Sequence, residues 1–119
     1  MTKQRQDTGH QGEQIALDFL MGLGYRLVEK NWRCRSGEID LIVTDGQVLV
    51  FVEVKARNST SYGLPQEAVV PAKQARIRRI AQYYLQVSGR DEEECRFDVV
   101  AIVHTGDDSP RIEHLRAAF

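Results

Sequence analysis

Residues 47–57, Gln-Val-Leu-Val-Phe-Val-Glu-Val-Lys-Ala-Arg, constrain this chain more than any other stretch. Strand alternation puts Val48, Val50, Val52 and Val54 on one side and Leu49, Phe51, Glu53 and Lys55 on the other, so both sides start apolar. Such a strand needs a covering layer on each face, which a small α/β layer protein supplies. Asp45-Gly46 precedes it and Glu38–Thr44 precedes that. Asp-Gly between alternating apolar runs signals a two-residue hairpin, because a type I′ turn needs positive φ at both central positions. With Asp45-Gly46 as the loop, Thr44 faces Gln47, Asp40 faces Phe51 and Glu38 faces Glu53. Asp40, Glu53 and Lys55 then share one face, and Ile39, Leu41, Val43, Val50, Val52 and Val54 share the other.

The remaining segments build around that hairpin. A helix is expected from about Gln11 to Gly22, with Ala16, Phe19, Leu20 and Leu23 as its apolar stripe and Gly24 as its stop. Residues 1–9 read as a flexible tail. Tyr25–Arg33 reads as a strand. Asn58–Pro65 reads as a loop, either a flap over substrate or a plain linker. Pro71 can open a second helix, whose apolar face is Ile77, Ile80, Ala81 and Tyr84, and Ser88-Gly89 ends it. Phe97–Val103 is almost continuously apolar, the mark of a strand covered on both faces, and Arg111–Leu115 is a short edge strand. The order αβββαββ predicts one domain over residues 1–119, with a mixed sheet flanked by helices.

Composition narrows the function. The 119 residues are 42% apolar and 28% charged, as in an ordinary globular domain. No apolar run is long enough to span a membrane, and the polar start shows no signal-peptide pattern. Cys34 and Cys95 form neither a disulfide framework nor a metal spacing, which suits reduced thiols in a cytoplasm. The net charge of −1 argues against a protein that coats nucleic acid indiscriminately. It is unevenly spread, however. Residues 1–79 hold 12 Lys/Arg against 9 Asp/Glu, and residues 80–119 hold 4 against 8. That asymmetry suggests a local anion-binding face.

Asp40 and Glu53, as diagonal neighbours across the hairpin, can converge on one cation. Carboxylates on a covered sheet face repel each other and are costly to bury, and a hard divalent ion such as Mg²⁺ removes the conflict. The competing reading is an ordinary exposed hairpin face with Lys55 paired to Glu53 or Glu38.

The run Glu38-Ile-Asp40-Leu-Ile, a short hairpin and Val52-Glu53-Val-Lys55 resembles the PD-(D/E)XK nuclease core. Together with Gly12-Glu13, Gly24-Tyr25, Asn31-Trp32-Arg33, Gly37–Ile42, Phe51–Arg57, Gly63, Lys73 and Ala81–Leu85, it resembles the YraN-like family of small bacterial proteins, similar in fold to archaeal Holliday-junction resolvases. The resemblance covers roughly residues 9–103, and Ile39 departs from it by replacing the proline of the name-giving pair. It implies a restriction-endonuclease-like core, a divalent-metal-dependent endonuclease acting on DNA, branched or structured forms included, and it leaves a homodimer open. Asp40 and Glu53 would be metal ligands for Mg²⁺ or Mn²⁺, with the Val54 carbonyl a third. Lys55 would orient the attacking water or hold a phosphate oxygen. Glu13 would be an additional catalytic acid, although a first-turn acid favoured by the helix dipole explains it equally well. Two alternatives stay open: a nucleic-acid-binding module without useful turnover, and an assembly protein with a vestigial site.

Arg33, Arg35, Arg57 and Arg76 could each contact phosphate, although any one taken alone reads as an ordinary surface cation, and Lys73 joins them as a candidate. Lys73 lies close in helical phase to Ile77, so it should reach the core margin, as a substrate contact or as a salt bridge to Glu53 or Glu67. Trp32 reads as either a base-stacking residue or a core anchor. Asp98 reads as structural, pairing with a nearby cation.

Overall fold

The computed structural model describes residues 3–58, 69–104 and 109–119. Two helices and five strands follow in the predicted order: α1 (Lys3–Gly22), β1 (Arg26–Cys34), β2 (Gly37–Asp45), β3 (Val48–Asn58), α2 (Pro71–Val87), β4 (Cys95–His104) and β5 (Arg111–Leu115). The strands form one sheet in sequence order. All neighbours are antiparallel except β3 and β4, which run parallel because α2 carries the chain back across the sheet. The chain is therefore an α/β protein with a five-stranded mixed sheet and two helices, compatible with a nuclease-like core. Among the described residues no helix is long and apolar enough to cross a membrane.

Each helix covers one sheet face. On α1, Ala16, Leu17 and Leu20 pack over Leu41, Val43, Val50, Val52, Val100 and Ile102. On α2, Ile77, Ile80, Ala81 and Tyr84 pack over Ile39, Ile42, Leu49, Phe51, Phe97 and Val99. This double cover is what the apolar start of β3 demanded. Helix α1 begins at Lys3, well before Gln11, so it runs back through the segment read as a tail. Leu23, expected in the stripe, is instead 54% exposed, because the helix has already ended at Gly22 and Gly24 turns the chain at φ +96°. Most of the loop Asn58–Pro65, and Glu67, lie outside the described residues.

Two details of the β2–β3 hairpin differ from expectation, and both shape the site. The loop is Gly46-Gln47, with Asp45 opposite Val48 and Leu41 opposite Val52, a register two residues away from the one expected. Asp45 stays in the ladder because its carboxylate is held by Arg96 at 3.0 Å and Arg116 at 3.2 Å, leaving Gly46 to take the positive φ of +63°. The side-chain alternation also breaks at Asp40. Ile39 packs under α2 while Leu41 packs under α1, so Ile39 does not share a face with Leu41 and Val43. The neighbouring strand breaks at the same level: Asn31 takes a left-handed φ of +52° between the pairs Lys30–Leu41 and Trp32–Ile39. Asparagine tolerates that conformation better than most residues.

Candidate active site

The hydrogen-bonded ladder between β2 and β3 ends at Leu41–Val52, and the site begins there. Beyond that point the Asp40 carboxylate takes over a bond the ladder would have made, accepting the Val54 N–H at 2.8 Å. Glu53 continues the alternation of Leu49 and Phe51 and so faces α2, buried at 7% exposure. Lys73, in the first turn of α2, forms a salt bridge to Glu53, as its helical phase suggested. Lys55 stands 3.7 Å from the same Glu53 oxygen. Asp40, Glu53, Lys55 and Lys73 thus form one electrostatic group, although the shifted register joins Asp40 to Glu53 and Val54 rather than to Phe51.

Asp40 is short of positive charge. Burial first, and the Glu53 charge second, push its carboxyl from the usual 3.8 to about 7, with Glu13 and Glu38 adding to the rise and the Val54 N–H opposing it. Burial and the adjacent Lys73 ammonium lower the Lys55 pKa, partly offset by Glu53 and Asp40. Burial would lower Lys73 too, but its hydrogen bonds to Glu53 and Lys55 and the carboxylate charges hold it above its ordinary value. Of the two lysines, Lys55 is the readier to give up a proton.

Because folded Asp40 binds its proton more tightly than the unfolded chain does, it favours the fold fully below pH about 4, and that contribution is lost as pH rises to about 7. Asp40→Asn keeps an oxygen for the Val54 N–H and removes the charge. In chelator, urea denaturation should show the variant about 1–3 kcal/mol more stable than the parent at pH 8, with the difference nearly gone at pH 4.5.

Glu13 lies in the middle of α1 rather than in its first turn, because the helix starts at Lys3; it is half-buried and accepts a hydrogen bond from Asn31 Nδ2 at 2.9 Å. The left-handed Asn31 therefore ties α1 to the level of Asp40, a role the sequence reading did not assign. Its signal was present: an asparagine inside an otherwise regular strand, beside Trp32-Arg33. Among the cations read as phosphate contacts, Arg33 is exposed and pairs with Glu38 at 2.9 Å, Arg35 and Arg76 are exposed, and Arg57 is half-buried near the end of β3. Among the described residues no three His, Cys, Asp or Glu side chains group as a ready-made metal cluster. What the centre offers a cation is the carboxylate pair and the adjoining main chain.

Fold and site together define a small α/β protein with an acid–lysine centre where two central strands part. The chain belongs to the UPF0102 family: the model described as "Uncharacterised protein family UPF0102" matches residues 12–102, a span that includes Glu13, Asp40, Glu53, Lys55 and Lys73. It is 53% identical over 112 residues to a UPF0102 protein of Syntrophus aciditrophicus (strain SB), covering 94% of this chain and 87% of that one. A UPF0102 protein of Geobacter sulfurreducens is 47% identical, covering 93% and 87%. One of Rhodococcus jostii (strain RHA1) is 50% identical, covering 93% and 94%.

Proposed function

We propose that this chain is a divalent-metal-dependent endonuclease that hydrolyses phosphodiester bonds in DNA, branched and structured forms included. The observation that carries the reading is the Asp40 carboxylate pinned by the Val54 N–H at 2.8 Å beside the buried Glu53, where desolvation and the Glu53 charge push its carboxyl up to about 7. A pair of carboxylates kept together at that cost fits a site that takes a hard cation. Asp40, Glu53 and the Val54 carbonyl are the groups that would hold Mg²⁺ or Mn²⁺. A bound ion would supply an acidified water and a Lewis acid for the phosphoryl oxygen. The protein's own part is positioning and charge. Lys55, with its lowered pKa and its ammonium 3.7 Å from Glu53, would orient the attacking water or meet negative charge on the phosphate. Lys73 gives Glu53 a positive neighbour from the helix side and fixes its rotamer.

That same salt bridge favours a second reading, a nucleic-acid-binding module that keeps the nuclease arrangement without useful turnover, because Glu53 is already satisfied. The test is a Mn²⁺ cleavage assay over linear, flapped, four-way and single-stranded DNA, with Glu53→Gln alongside. The proposal expects cleavage of at least one form by the parent and none by the variant. Binding without cleavage on every form would establish the module instead.

A further inference from the structure

A groove of about 540 Å³ opens between the β1–β2 turn and the C-terminal half of α2, with Trp32, Arg33 and Arg35 on one side and Tyr83 and Val87 on the other. That volume is in the range of ordinary ligand pockets, about 300–1,000 Å³. Its apolar wall is left in water: Tyr83 is 50% exposed and Val87 57%. Trp32 is held by an edge contact to the buried Tyr84, with ring centroids 5.1 Å apart at 82°. Tyr83 is splayed from Trp32, at 6.0 Å and 49°, so the two rings do not close on each other.

The cations complete the pattern. Arg35 has no carboxylate partner among the described residues, and the Arg33–Glu38 pair is exposed enough to exchange for phosphate. On α2, Arg76 is in helical phase with Tyr83 and Val87, so one flank of the helix runs from a cation to the groove wall. The groove lies along the same helix and strands as the acidic centre, without sharing a lining residue with it. Trp32 pairs with Ile39, and Asp40 is the next residue along β2. Lys73 and Tyr83 are ten residues apart on α2, roughly 15 Å along its axis.

We infer that this groove binds an unpaired nucleobase, stacked on Trp32 and Tyr83, with the adjoining phosphate on Arg35 and Arg33. Aromatic faces beside planar cations are what single-stranded nucleic acid requires, since every base has a face to stack and every nucleotide a charge to neutralise. An apolar peptide would have no use for the arginines. The site deepens the nuclease reading, on which it rests for its ligand class, by making an unstacked strand next to the acidic centre the preferred substrate.

Trp32 is the chain's single tryptophan, so its fluorescence reports this groove alone. A ten-nucleotide thymidine oligodeoxynucleotide, added in chelator at low salt, should quench Trp32 saturably, and a blunt duplex of equal length should bind at least tenfold more weakly. Tyr83→Ala and Arg35→Glu should each weaken the single strand about tenfold or more. Both positions are exposed, and an unchanged melting temperature would show that the fold is kept. No quenching, equal affinity for duplex, or indifference to both variants would overturn the inference. So would a Trp32 signal that depends on protein concentration alone and vanishes in Tyr83→Ala, because a second copy would then occupy the groove. Chelator separates the two proposals. Quenching in a chain that cleaves nothing would sink the nuclease and keep the groove, and cleavage without quenching would do the reverse.

Discussion

Asp40→Asn is expected to lose DNA cleavage by about a thousandfold or more, roughly 4 kcal/mol of barrier, while becoming more stable than the parent at pH 8. The two effects have opposite sign, and that gives the experiment its power. If Asp40 served only the fold, its replacement would lower stability or leave it alone, and any loss of activity would follow the loss of fold. Here the carboxylate is a liability to the metal-free fold, half-buried and repelled by Glu53. Its neutral isostere still accepts the Val54 N–H. A stable, inactive variant that keeps its DNA affinity would isolate the charge as the working part. Glu53→Gln is less clean, since it also strips Lys73 and Lys55 of their shared partner and leaves two ammonium groups side by side. Mn²⁺ supplies a second readout. At a concentration about 100 times its Kd it should stabilise the parent by about 2.7 kcal/mol in urea, and it should do little for Asp40→Asn. Cleavage by Asp40→Asn at the parent's rate would end the nuclease proposal.

The order of elements was legible because each rests on a local signal: the alternation of β3, the proline that opens α2, the apolar run of β4. The salt bridge from Lys73 was legible too, because helical phase with Ile77 fixes where a side chain on α2 can reach. The hairpin register was not. Asp45-Gly46 has the chemistry of a two-residue loop, but Asp45 is claimed by Arg96 and Arg116, which lie 51 and 71 residues away, and such distant partners leave no mark on the local pattern. The break in alternation at Asp40 was hidden for a related reason. It needs a matching left-handed residue on the neighbouring strand, and one asparagine in a strand does not announce that conformation. The acidic centre survived both errors because Glu53 and Lys55 lie on one strand and Asp40 must come from the strand beside it. The Trp32–Tyr83 groove depended on packing between β1 and α2, for which the sequence carries no periodicity.

The largest loss of stability is expected from Asp98→Ala, about 3–5 kcal/mol and roughly 15 °C or more in melting temperature. Asp98 is fully buried on β4, and its carboxylate gathers four donors. Arg96 donates from Nε at 2.9 Å and from Nη2 at 3.1 Å, His114 from Nε2 at 2.8 Å, and the Ala117 N–H at 3.0 Å. Arg96 reaches on to Asp45 and to the Tyr25 hydroxyl, so this one carboxylate ties the end of β2, the approach to β1 and the C-terminal segment together. Alanine would leave the Arg96 guanidinium and His114, 16% and 8% exposed, facing a cavity with their main acceptor gone. The pH response should run opposite to that of Asp40. Burial pushes the Asp98 carboxyl up, but the hydrogen bonds from His114, Arg96 and Ala117 and the Arg96 charge outweigh it and leave the pKa below the ordinary value. Its contribution is therefore present above pH about 4 and lost as pH falls further. Urea midpoints across pH should rise from pH 8 towards 5 as Asp40 takes up its proton, then fall below 4 as Asp98 does. Asp40→Asn should flatten the first limb and Asp98→Asn the second. A parent curve without the first limb would mean that Asp40 is not the strained carboxylate the site is built around.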